Sequence, residues 1–220
     1  MAKRIDYVAA IKPLVFALAL VPLALLVWKT SQNALGPDPV ARLEHSTGIW
    51  ALRFLLGTLA ITPLRKLTGW NAMIRFRRMS GLFAFFYASL HLTIYLVVDL
   101  GGFWSQILVE IAKKPFVTVG FLAWLLMIPL AITSTKGMMR RLGRNWQRLH
   151  RLVYISAALA ALHFLWQVKY GKTIAALEPV VYAGIFLALM LARVPGWLKQ
   201  RRSKATVTKA KPDTALSANQ

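Results

Sequence analysis

Two histidines, His150 and His163, bracket one apolar stretch, HRLVYISAALAALH. A membrane-spanning segment keeps an imidazole only where it finds a partner, so both are candidate functional groups. Read as one helix, their separation of 13 residues (163 − 150) is about 20 Å of rise, which sets two ligands at two depths. The chain has four histidines and no cysteine. Disulfides, thiolate ligands and Cys-held iron–sulfur clusters are therefore excluded, and ligation falls to His, Met, Tyr or carboxylates.

His91 lies in SGLFAFFYASLHLTIYLVVDL, eight residues (99 − 91) before Asp99, so about 12 Å below the outer end of its segment. His163 stands six residues (169 − 163) before Lys169, at about 9 Å by the same rise. Two imidazoles at matching depth on two helices of a bundle can ligate one heme iron from opposite faces. The plainer reading is that each histidine only hydrogen-bonds a neighbouring helix. His150 follows the basic loop RRLGRNWQRL at the inner end. It is either an interfacial histidine or an axial ligand of an inner heme. A partner one heme spacing before His91 would stand near position 77, which is Arg77, a side chain suited to propionates or phosphates. On an ideal helix His150 and His163 also point about 140° apart, so they face one partner only across a bend or bulge.

His45 opens the second apolar segment in EHSTGIW, beside Glu44, Ser46 and Thr47. Helix capping is its plain role, a cofactor contact the sharper one. Arg53, deeper in the same segment, reads as the one cation buried in a span. It calls for an anion such as a heme propionate in preference to snorkelling.

The elements that must hold these groups are apolar and long. Of the 220 residues 57% are hydrophobic and 16% charged, and the mean hydropathy is +0.53. Six segments, 11–28, 45–64, 79–98, 116–134, 149–168 and 177–194, are long enough to approach or cross a bilayer. The expectation is an all-α membrane protein, a six-helix transmembrane bundle with short loops and antiparallel neighbours. The N-terminus MAKRIDYVAAIKPLVF is basic then apolar with no convincing cleavage site, so it reads as a retained first span.

A net charge of +21 in a soluble protein would suggest nucleic acid. Here the basic residues sit in short runs between apolar segments. Most of the 28 Lys and Arg fall on one side, leaving Lys29, Arg42, Lys113, Lys114, Lys169 and Lys172 on the other. That bias places both termini in the cytoplasm. Trp28, Trp104 and Trp166 then mark outer ends, and Trp70, Trp146 and Trp197 inner ends. Pro129 should kink the fourth segment. No long internal repeat is evident, although RFRRMSG and MMRRLGRNW are alike as basic inner loops. Residues 1–200 form the membrane domain, and 201–220 read as a disordered basic tail.

The segments RRMSGLFAFFYASLHLTIYL, KKPFVTVGFLAWLLMIPLAITS and RLGRNWQRLHRLVYISAALAALHFLWQVK, with EHSTGIWALRFLLGTLAITPLRK, resemble a known family. It is that of the heme-binding membrane subunits of the bacterial periplasmic methionine sulfoxide reductase system. These belong to the ferric reductase-like transmembrane proteins, related to the membrane half of NADPH oxidases. The resemblance implies an electron-transfer subunit in the bacterial inner membrane, not the catalytic one. It implies heme b, one or two per chain, held through His91, His150 and His163. It also implies a flavin mononucleotide, although no motif marks a flavin site. The implied partner is a periplasmic molybdenum-containing reductase that repairs oxidised methionines. The implied donor is the quinone pool or a cytosolic flavin reductase. Where the oxidases carry a second histidine on the third span, this chain has Arg77. A non-redox membrane protein, a small transporter or an assembly scaffold with structural histidines, is the alternative. Transporters, however, favour inverted repeats and broken helices around a polar midplane, and neither is clear here.

Overall fold

In the computed structural model the described residues are 7–168 and 177–193, and they contain helices and no strands. The helices are α1 (Tyr7–Ser31), α2 (Pro39–Thr68), α3 (Arg77–Ile94), α4 (Trp104–Lys113), α5 (Pro115–Ile132), α6 (Lys136–Leu142), α7 (Arg144–Leu149), α8 (Leu152–Val168) and α9 (Leu177–Leu191). Five stretches among the described residues are long and apolar enough to cross a membrane. They are Ala10–Ser31, Pro39–Thr68, Asn71–Asp99, Pro115–Ile132 and Arg144–Gln167. The sixth expected segment appears as α9, apolar but 15 residues long, about 22 Å of helix against a hydrocarbon core of roughly 30 Å. The expected basic tail, Lys169 and Lys172 lie outside the described residues.

α2 is the axis of the bundle, packing against α1, α3, α8 and α9. Its start is set by Asp38, whose carboxylate accepts from the Ala41 N–H at 3.0 Å, with Pro39 in the first turn. The helix therefore begins six residues (45 − 39) before His45, which does not cap it. Its far end carries Arg65 and Lys66 in the last turn and stops at Gly69, left-handed at φ 69°.

Leu55 and Leu59 of α2, Ala84 of α3, Met127 of α5, and Val153 and Ala157 of α8 form one buried cluster. Small residues let α5 and α8 approach until the Ser156 hydroxyl donates to the Ala123 carbonyl at 2.9 Å. A second cluster ties α1 on through Ala19, Phe83 and Tyr87, with the Tyr87 hydroxyl donating to the Ala19 carbonyl at 2.8 Å. That bond falls beside Pro22, where the ladder of α1 lacks a donor. Leu14, Leu18 and Leu25 of α1 and Leu187 of α9 stay exposed, as side chains facing lipid do.

Two departures from regular helix bear on the histidines. α3 runs on into a π-helical turn, Tyr95–Asp99, just beyond His91, a local over-wide turn of the kind often found at functional sites. The stretch with which the sequence reading began is also not one helix. α7 ends at Leu149 with His150 as its C-cap, and α8 starts at Leu152. The 140° offset for a straight helix therefore does not apply. His150 is fixed by a corner, His163 by a span.

Candidate functional site

His91 on α3 and His163 on α8 meet in the half of the bundle where α2 begins. Their ring centroids are 6.3 Å apart and their planes cross at 70°. Each ring is anchored the same way. His91 Nδ1 lies 2.9 Å from the Glu44 carbonyl on α2, and His163 Nδ1 lies 2.7 Å from the Phe116 carbonyl on α5. A carbonyl can only accept, so Nδ1 carries the proton in both rings and Nε2 keeps its lone pair for a metal.

The two anchors are copies in spacing. Each histidine follows its carbonyl by 47 residues, and each ring packs on a glycine, Gly48 for His91 and Gly120 for His163. The triplet 44, 48, 91 becomes 116, 120, 163 by adding 72 throughout. What recurs is a backbone carbonyl, a glycine and a histidine, too sparse a set to register as similarity along the chain.

Between these half-sites lies a cavity of about 610 Å³, within the range of small-molecule and cofactor sites. Its space comes from small residues: Ala84 and Ala88 stand two turns and one turn before His91, and Ala160 one turn before His163. Leu52, Leu55 and Met127 give it an apolar wall. Trp124 lines it too, held by its Nε1–H donating to Ser89 Oγ at 2.9 Å and stacked near-parallel on Phe85 at 6.3 Å.

The donor set tests what such a cavity can hold. Two imidazoles bonding one metal ion from opposite sides, at ~2.0 Å each, place their centroids about 6 Å apart. That agrees with the 6.3 Å found here. Among the described residues no group of three or more His, Cys, Asp or Glu side chains could cage a bare ion. A metal that brings its equatorial ligands with it, as heme iron does, fits two imidazoles, apolar walls and this volume.

The cavity also reaches polar groups at the helix ends, where His45, Glu178, Asp99, Tyr95 and Lys114 line it. His45 Nε2 is 3.4 Å from the Glu178 carboxylate. Lys114 pairs with Glu110 of α4, and that carboxylate also accepts from the Tyr95 hydroxyl at 3.2 Å. In the sequence Lys114 counts only among the basic residues on the side opposite the termini, with nothing to tie it to a cavity. The helix α4, which carries Glu110 to the mouth, is what gives that lysine its place.

The remaining candidates lie elsewhere. His150 does not line the cavity. It stacks on Trp146 at 3.8 Å, with Nδ1 3.1 Å from the Trp146 carbonyl and Nε2 3.5 Å from Ser134 Oγ. Trp146 is itself tied to the Thr133 carbonyl at 2.9 Å. Arg77, half-buried at the start of α3, is within electrostatic reach of His150. Arg53 is exposed, not buried, and is absent from the cavity lining. Its Nε donates to the Tyr182 hydroxyl at 2.7 Å, and the guanidinium sits 4.8 Å from the Trp50 ring. Among the described residues the buried cation is Arg193, just past α9. It donates to the Leu59 and Leu189 carbonyls and lies over Tyr154 at 5.4 Å.

Comparison with known proteins adds to this geometry. Residues 47–161 match the model of the ferric reductase like transmembrane component. A protein-methionine-sulfoxide reductase heme-binding subunit MsrQ from Xanthomonas euvesicatoria pv. vesicatoria is 57% identical over 98% of this chain and 99% of its own length. One from Xanthomonas oryzae pv. oryzae is 57% identical over 93% of this chain and 95% of its own. One from Herminiimonas arsenicoxydans is 50% identical, covering 88% of each.

Proposed function

The chain belongs to the ferric reductase-like transmembrane family and, within it, to the MsrQ heme-binding subunits, and from that premise we propose that it holds heme b between His91 and His163 and conducts electrons across a bacterial inner membrane. The observation that carries this reading is the facing pair of imidazoles, each with Nδ1 locked on a carbonyl, across an apolar cavity. Bound there, heme would supply one-electron chemistry, its potential set by axial ligation and burial. The chain's own residues do the rest. Glu44 and Phe116 carbonyls hold the tautomers and orient the rings. Leu52, Leu55 and Met127 exclude water, which favours burial of a flat apolar group. Lys114 and His45 at the mouth are within reach of carboxylates that a ligand would bring to the outer end, Lys114 as a cation and His45 as a hydrogen-bonding ring.

The finer points of the proposal concern direction and partners. Both termini lie in the cytoplasm, as the distribution of Lys and Arg supports. Electrons leave by the outer mouth for a periplasmic molybdenum-containing methionine sulfoxide reductase, for which segments 29–44, 99–114 and 169–178 are the docking candidates, residues 169–176 lying outside the described residues. They arrive at the inner face from the quinone pool or a cytosolic flavin reductase. There His150 is the candidate ligand of a second heme, exchanging its Ser134 contact for iron, and Arg77 the candidate contact for a propionate or a flavin mononucleotide phosphate. This chain is an electron-transfer subunit and not the catalytic one.

The test is direct. The membrane protein purified from heme-replete cells is expected to be red, with a Soret band that shifts on dithionite reduction. His91→Ala and His163→Ala are each expected to lose the outer heme, whereas His150→Ala keeps it. A colourless wild-type protein from such cells would favour the non-redox alternative, a transporter or assembly scaffold.

A further inference from the structure

A carbonyl inside a helix already accepts the N–H four residues on, so a side chain can reach only its second lone pair. A slender hydroxyl does this beside a larger residue, as Tyr87 does at Ala19 and Ser156 at Ala123, but at the two histidines the flat ring lies directly over the fourth residue. Here the fourth residue after Glu44 is Gly48, and the fourth after Phe116 is Gly120. A Cβ on Gly120 would stand 2.7 Å from His163 Nδ1, 2.9 Å from Cε1 and 3.1 Å from Cγ. On Gly48 it would stand 3.2 Å from both Nδ1 and Cε1 of His91 and 3.7 Å from Cγ. The contacts run along the ring to Cγ and so include its root. At Gly120 the ring would have to shift as a whole, which pulls Nδ1 from its carbonyl.

We propose that Gly48 and Gly120 are positioning residues for the two imidazoles: each leaves open the space in which the ring lies across the helix, hydrogen-bonded to the carbonyl four residues back, with Nε2 left for the cavity. The proposal rests on the heme reading above. Gly120 is the stricter of the two, because its Cβ would fall inside contact distance, whereas that of Gly48 asks only a few tenths of an ångström. Elsewhere in these helices alanine is the better helix former, so glycine at both seats serves the ring and not the backbone.

Gly120→Ala and Gly48→Ala would be compared with Gly184→Ala, whose Cβ meets nothing within 4 Å. The readouts are heme per protein in the monodisperse fraction, the low-spin ferric EPR signal and the midpoint potential. Gly120→Ala is expected to lose at least ~10-fold in heme retention, as loss of an outer-shell partner does, or to convert to a high-spin spectrum. Gly48→Ala is expected to keep heme with shifted EPR g-values and potential. Gly184→Ala should match wild type. In a His163→Ala background, Gly120→Ala should be neutral or stabilising to heat, since its only conflict is gone. Full heme with unchanged EPR and potential in Gly120→Ala would overturn the proposal while leaving the heme reading intact. If Gly120→Ala does not fold, Gly48→Ala decides: unchanged g-values and potential there also overturn it. A heme-free wild type would instead overturn the reading beneath.

Discussion

His163 and His150 share one stretch of sequence, yet different things hold them. His163 reaches across to another helix, its Nδ1 bonded to the Phe116 carbonyl and its ring laid on Gly120, which leaves Nε2 for the cavity. His150 bonds within its own turn to Trp146, stacks on that indole and turns Nε2 towards Ser134. One histidine is preorganised by its surroundings to give a lone pair away. The other spends its polar atoms on a corner between α7 and α8. Nδ1 meets a backbone carbonyl in both rings, so what separates them is the setting: His163 lines the cavity, and His150 does not, its Nε2 lying 3.5 Å from Ser134 Oγ.

The sharpest way to break this comparison is to remove the ligands. His163→Ala and His91→Ala should each lower heme content by more than an order of magnitude, measured as heme per protein after detergent extraction. Filling the space should act next most strongly. Ala88→Leu narrows the cavity beside His91 and should cut heme content several-fold. It should also destabilise the fold by about 1–3 kcal/mol, as overpacking does; near-normal loading would show that the cofactor sits elsewhere. Smaller again, Ser156→Ala removes one interhelical hydrogen bond between α8 and α5. It should cost about 0.6 kcal/mol in thermal or chemical unfolding with heme content unchanged. Smallest, Arg53→Ala should leave the heme spectrum unaltered and change stability by about 0.5–1 kcal/mol, the scale of an exposed cation–π contact. A lost Soret band there would move a propionate to α2's outer face.

Much of the site is legible in the chain because depth is. His91 and His163 could be matched by counting from Asp99 and Lys169, since a transmembrane helix has a fixed rise and short loops tie its ends to the surfaces. Their anchors could not be found that way. The acceptors at Glu44 and Phe116 are backbone carbonyls, which any residue supplies, and Gly48 and Gly120 look like ordinary membrane glycines. Arg53 misled for the opposite reason. A lone arginine in an apolar run predicts a buried ion, but the run does not say which face of α2 it takes. Here it takes the outer face, with Trp50 and Tyr182 as partners. The break at His150 was equally hidden. LGRNWQRLH has no proline, and the corner is made by stacking and by the bond from Trp146 to the Thr133 carbonyl.

The crossing of the two ring planes at 70° gives the most direct test of the central claim. A ferric heme held between nearly perpendicular imidazoles shows a strongly anisotropic low-spin EPR signal with a large gmax, unlike the rhombic signal of parallel rings. The purified wild-type protein is expected to show that large-gmax signal, to keep it in His150→Ala and to lose it in both His91→Ala and His163→Ala. A rhombic signal in the wild type, or a large-gmax signal that survives His163→Ala, would contradict the account.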